Sequence, residues 1–215
     1  MREEFDLIIF DWDGTLVDSI DWIVKCLSKA AEICGCEVPD NQILKDTIGL
    51  SIEMTMGRLF PKITPEIKAQ LIFYYRQEYL SKQITKDDLF VGINEMLIAL
   101  KQKGYQLAVA TGKSRLELDK AMQGTGLYNF FDFTRTADQT ASKPQPDMLD
   151  EIIEETGVSR KRAVMVGDSI HDMEMAINAD IAMIAVSCGA NTYDQLEQFN
   201  PLMNLTKTTQ ILDIL

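Results

Sequence analysis

Two aspartates, Asp11 and Asp13, stand one residue apart in "FDLIIFDWDGTLVDS", directly after the apolar run Leu7 to Phe10. Side chains of an extended segment alternate, so the two carboxylates project to one side while Trp12 turns away, and Gly14 lets the backbone bend sharply beside a ligand. Two acids of this kind meet one substrate. Other runs end in side chains suited to reaction or to phosphate binding: Thr111 with Gly112 in "VATGKS", and Asp168 with Asp172 in "GDSIHD". Lys143 stands in the loop "ASKPQPD" ahead of a helical pattern. Each is ordinary alone, because Asp and Thr are common at caps and turns. Their order along one chain is the specific feature.

The elements that must position them follow a rhythm. After "DLIIFDWDGT", β-rich runs recur at "YQLAVATGKS", "NFFDFTRTAD", "RAVMVGDS" and "DIAMIAVSCGAN". Between the later runs lie the amphipathic stretches "GINEMLIALKQKG", "RLELDKAMQGTG" and "PDMLDEIIEETG", each closed by a glycine suited to a helix C-terminus. Strands alternating with helices predict an α/β fold with a parallel sheet covered on both faces, and such sheets bind ligands at the carboxyl ends of their strands. From Asp18 to about Phe90 the pattern is helical only, longer than a crossover needs, which predicts an inserted helical domain.

Together, "DWDGTLVDS", "VATGKS", "SKPQPD" and "GDSIHD" resemble the four motifs of the haloacid dehalogenase superfamily, in its phosphoglycolate-phosphatase-like branch with a helical cap. The motifs run from Asp11 to Asp172 in the family's order. The resemblance implies a Rossmann-like three-layer core of residues 1–17 and 91–215 and an all-helical cap of residues 18–90. It also implies magnesium-dependent hydrolysis of a small phosphate ester through an aspartyl-phosphate. Asp11 would be the nucleophile, and Asp13 the general acid and then the base. Magnesium would be held by Asp11, the Asp13 backbone carbonyl and Asp168, with Asp172 orienting that shell. Lys143, the Thr111 hydroxyl and the Gly112 amide would bind the transferring phosphoryl group beside Gly14. The chain departs from the family's usual pattern in lacking a paired glycine before Lys143 and in having Asp180 at a turn where glycine is common, a conformation Asp tolerates.

Rival readings meet particular residues. A calcium loop beginning at Asp11 would need an oxygen ligand, a glycine and a terminal acid where Thr15, Leu16 and Trp22 stand. A phosphoryl-accepting receiver module has no use for Asp13 or a helical cap, and dehalogenases of the family lack the second aspartate. A phosphoglucomutase-like sugar phosphate mutase resembles the chain in cap and motifs but usually has an acidic residue where Gly167 precedes Asp168.

Composition bounds the rest. Of 215 residues, 46% are apolar and 25% charged, as in globular proteins, and no run approaches the roughly 18 apolar residues of a membrane span. A net charge of −12 disfavours a nucleic-acid partner, although local cations can still receive an anionic substrate. The four cysteines lack metal-site spacing and read as reduced thiols, which with the absence of a signal-like N-terminus predicts a cytoplasmic protein. Asp18 and Ser19 read as caps of the following helix, His171 as a solvated neighbour of the site, and "YYRQEY" as core and rim of the cap. Lys45, Arg58 and Lys62 are the charged cap candidates for an anionic substrate, each reading first as a solvated surface charge.

Overall fold

The structure, a computed structural model, describes residues 4–215. Six parallel strands form one sheet: β1 (Leu7–Phe10), β2 (Gln106–Thr111), β3 (Phe133–Thr136), β4 (Ala163–Gly167), β5 (Ala182–Val186) and β6 (Met203–Leu205), in the order β3-β2-β1-β4-β5-β6. The first five fall inside the runs read from sequence. The sixth, three residues long, is too short to carry an alternating pattern.

β1 lies at the centre and reverses the strand order, with β2 and β3 to one side and β4 to β6 on the other. Its register pairs Phe10 with Val109 and with Val166, so residues just beyond Phe10 sit beside the ends of β2 and β4. Alternation divides the core. Ile8, Phe10 and Trp12 pack on one face with Leu107, Val109, Val164 and Val166, under α5 (Ile93–Gln102) and α6 (Arg115–Thr125). Leu7 and Ile9 pack on the other with Ala108, Ala110 and Met165, under α7 (Asp147–Thr156) and α8 (Ile170–Asn178). The last helix, α9 (Tyr193–Glu197), lies between β5 and β6.

The glycines expected to stop helices do so: Gly126 and Gly157 close α6 and α7 in the left-handed region at φ 75° and 66°. Asp180 adopts the same region at φ 54°, the turn anticipated for it.

Between β1 and α5 the chain forms α1 (Ile20–Ile33), α2 (Asn41–Lys45), α3 (Ile52–Leu59) and α4 (Pro65–Tyr79). These helices bury a cluster of their own, with Ile23, Leu27, Leu44, Met56, Leu71 and Tyr75 among its members. Ser51 and Thr64 accept hydrogen bonds from the Met54 and Ile67 amides and so start α3 and α4, contributing about 1 kcal/mol each. Among the described residues no helix is long and apolar enough to cross a membrane.

Candidate active site

β1, β2 and β4 deliver Asp11, Thr111 and Asp168 to one edge of the sheet. The Asp11 amide donates to the Val166 carbonyl at 2.9 Å, which fixes the nucleophile candidate against the end of β4. The chain then turns at Gly14, φ 75°. A Cβ there would lie 2.2 Å from Asp168 Oδ2, so glycine is required by close approach as well as by backbone conformation. Asp168 is held from two directions: the Thr15 hydroxyl donates to Oδ1 and the Ala190 amide to Oδ2, both at 2.7 Å.

Lys143 is fully buried, 0% exposed, between two acids: its Nζ lies 2.8 Å from Asp11 Oδ1 and 2.6 Å from Asp172 Oδ1. Asp172 cannot swing away, because its Oδ2 accepts from the Ser169 amide at 3.0 Å and hydroxyl at 2.7 Å in the capping box that starts α8. Burial lowers the Lys143 pKa and the two carboxylates more than reverse it, leaving it above the usual lysine value. The ammonium is therefore charged at any physiological pH.

One ammonium does not balance this site. Asp11, Asp168 and Asp172 offer oxygens within 4.8 Å of one another, all buried. Burial pushes the Asp11 carboxyl up to about 7 against the pull of Lys143, with the charges of Asp172 and Asp13 adding to the rise. Asp168 is raised as well, by burial first and then by Asp11 and Asp172. Asp11 Oδ1 has its ion pair with Lys143 but no donor in hydrogen-bonding geometry. A cluster of carboxylate oxygens with excess negative charge and an orphaned oxygen fits a hard divalent cation such as magnesium.

Asp13 belongs to a second cluster. Its Oδ1 accepts from the Ser19 hydroxyl at 2.5 Å and its Oδ2 lies 2.8 Å from Lys113 Nζ. Lys113 also donates to the Tyr79 hydroxyl at 2.5 Å, with its ammonium 4.4 Å from the centre of that ring. This corrects one expectation: Ser19 occupies the N-cap position of α1, yet its side chain makes no capping bond and is turned to Asp13 instead. The charge on Asp13 outcompetes a backbone amide as partner for the hydroxyl.

His171 is corrected too. It is 2% exposed, and its Nε2 lies 3.0 Å from the Asp46 carbonyl in the inserted helical segment. A carbonyl only accepts, so the proton is on Nε2. His171 is a buried strut between the two parts of the chain.

That junction is tight elsewhere. Ser51 N donates to Ser142 Oγ at 2.9 Å, and a Cβ on Gly112 would fall 2.4 Å from the Gly49 carbonyl oxygen and 2.5 Å from that of Leu50. Below the seam is a cavity of about 40 Å³. Asp11, Asp13, Thr111, Gly112 and Lys113 line its core side, and Ile23, Leu27, Thr47, Leu50, Thr55 and Tyr75 its helical side. Lys45, Arg58 and Lys62 are not among the lining residues; Lys45 pairs with Asp21 at 3.5 Å, and Arg58 and Lys62 are exposed.

All eight side chains and glycines singled out from sequence therefore converge, Asp11, Asp13, Gly14, Thr111, Gly112, Lys143, Asp168 and Asp172, on adjoining strand ends and loops. Sequence reasoning passed over Thr15, Ser19, Tyr79 and Lys113. Lys113 was visible inside "VATGKS", and its place two residues after a strand-end threonine was the available signal.

The model of the haloacid dehalogenase-like hydrolases matches residues 8–186. The probable phosphatase IndB of Dickeya dadantii is 33% identical over 199 residues, covering 91% of this chain and 86% of that protein. The pyrophosphatase PpaX of Listeria innocua is 26% identical over 100% of this chain and 98% of its own. A crystal structure of a hydrolase from Pseudomonas syringae superposes with a TM-score of 0.88 at 23% identity, covering 98% of this chain and 97% of that one. The chain belongs to the haloacid dehalogenase-like hydrolase family, among relatives of its phosphatase branch.

Proposed function

We propose that this protein is a magnesium-dependent phosphatase that hydrolyses a small phosphorylated metabolite through an aspartyl-phosphate on Asp11, with residues 1–17 and 91–215 as the catalytic core and residues 18–90 as a cap that closes over the substrate. The observation that carries the reading is Asp11 itself: a buried carboxylate at a strand end, beside Lys143, in a cluster with Asp168 and Asp172 that carries more negative charge than its lysine balances.

In this reading an Asp11 oxygen attacks phosphorus and the bond to the leaving oxygen breaks. Asp13, steadied by Ser19, gives its proton to that oxygen. Water then attacks phosphorus, Asp13 takes the water's proton, and Asp11 is released with inorganic phosphate. Lys143 neutralises charge at the point of attack, while the Thr111 hydroxyl and the Gly112 amide donate to the phosphoryl oxygens. Asp11, Asp168 and the Asp13 backbone carbonyl would hold magnesium, which when bound offsets the repulsion between Asp11 and the phosphoryl group. The small cavity beneath the seam supports a small substrate and the exclusion of bulk water.

Hydrolysis is favoured over a mutase reaction by Gly167. The acidic residue expected of mutases at this position has no room, since a Cβ would lie 2.3 Å from Asp172 Cγ. Hydrolysis of para-nitrophenyl phosphate tests the proposal: activity should require magnesium and disappear on exhaustive chelation. Activity that survives chelation, or that zinc restores better than magnesium, would refute it.

A further inference from the structure

Lys113 is the one cation among the residues lining the cavity. It is buried, and its ammonium has three donors, of which Asp13 and the Tyr79 hydroxyl account for two. No described residue is recorded as a partner for the third. Aliphatic side chains, Ile23, Leu27 and Leu50, form much of the wall around it, so water competes poorly for that donor.

Its position relative to the reaction follows from Asp13. A general acid must come within about 3 Å of the leaving oxygen. With Lys113 Nζ only 2.8 Å from Asp13 Oδ2, the ammonium stands within about 6 Å of that oxygen, on the leaving-group side of the phosphoryl group. Lys143 lies at the opposite pole, against Asp11 and Asp172. A charge carried two or three bonds beyond the leaving oxygen would come within direct reach of Lys113, and a long leaving group has no space in about 40 Å³.

We infer that Lys113, held in place by Tyr79, is the specificity-determining residue for a second negative charge on the leaving group, so that the substrate class is a short phosphate ester or anhydride with an anionic leaving group. The inference rests on the phosphatase reading above. Carboxylate and phosphate share the required chemistry, and phosphoglycolate and pyrophosphate serve as probes for each. Hydroxyethyl phosphate is the neutral counterpart of phosphoglycolate.

With magnesium present, kcat/KM for phosphoglycolate or pyrophosphate should exceed that for hydroxyethyl phosphate by about 100-fold or more. In Lys113→Met that ratio should fall to within about threefold, whatever the loss on each substrate, because a change acting on chemistry alone lowers all of them together. Lys113→Arg should keep part of the preference. Tyr79→Phe, which retains the ring and removes only the hydroxyl that holds the ammonium, should reduce it in the same direction and covers the case of a poorly folded Met variant. Hydrolysis of all the esters with no anionic preference in the wild type, or a preference unchanged in the variants, would overturn the inference and leave the phosphatase reading standing. Failure of the wild type to hydrolyse any of them, para-nitrophenyl phosphate included, would overturn both.

Discussion

The two buried lysines differ in what holds them. Lys143 is fixed wholly by parts of the chain that pack on the sheet: Asp11 follows β1, and Asp172 is locked by the capping box of α8. Lys113 is fixed half from the sheet, through Asp13, and half from α4, through Tyr79. The chemistry of phosphoryl transfer can therefore be preorganised whether or not the helical segment is seated, whereas the surroundings of the leaving group are complete only when it is. The division explains how one core could serve many leaving groups, since only the Lys113 side needs to change with the substrate.

The largest effect should come from breaking the Lys143 side. Lys143→Ala leaves two buried carboxylates without their cation, which should cost about 3–5 kcal/mol in stability without metal. The lost cation should also lower kcat/KM by about 10³-fold or more in the folded fraction. Lys143→Arg should restore little, because a planar fork cannot occupy the place of a compact ammonium. Near wild-type kinetics in either variant would remove Lys143 from the site.

A smaller effect should come from prying apart the seam. Gly112→Ala puts a Cβ against the Gly49 and Leu50 carbonyls, and backbone, unlike a flexible side chain, has little freedom to move aside. Misplacing the helical side by about 1 Å should cost about 100-fold in kcat/KM. Thermal stability of the sheet should change far less. Unimpaired turnover would show that the seated arrangement is not the working one.

The subtlest expectation concerns pH. The Asp11 pKa is raised from 3.8 to about 7 by burial, so between those values the folded, metal-free protein binds more protons at this position than the unfolded chain does. Stability contributed by the protonated carboxyl is present below pH 3.8 and lost as pH rises through 7. Asp11→Asn removes that titration. The metal-free wild type should accordingly lose thermal stability relative to Asp11→Asn as pH rises from about 4 to 7, and magnesium should restore the most at the upper end. Parallel pH profiles for the two proteins would contradict the electrostatics described above.

The contrast between the lysines also separates what was legible in the sequence from what was not. Strand ends could be read because an alternating apolar run announces a strand and the residues after it must lie at its carboxyl end; Asp11, Thr111 and Asp168 were found in this way. Lys143 was found through its motif and its place before α7. Ser19 was misread because a serine before a helix ordinarily caps it, and nothing local reveals that a carboxylate six residues earlier takes the hydroxyl instead. Tyr79 and His171 face partners 34 and 125 residues away in the chain, contacts that no periodicity encodes. Long-range contacts across the seam were invisible, and they are the ones that complete the Lys113 side.

The most direct test of the central claim, that Asp11 carries the phosphoryl group and Asp13 moves the proton, is the mass of Asp13→Asn protein after exposure to para-nitrophenyl phosphate and magnesium. This leaving group departs without needing a proton, so Asp11 should still be phosphorylated, while attack of water lacks its base. The protein should gain the mass of one phosphoryl group, mapped to Asp11 and absent from the Asp11→Asn/Asp13→Asn double variant. Turnover at the wild-type rate, no gain in mass, or a phosphoryl group on any other residue would contradict the account.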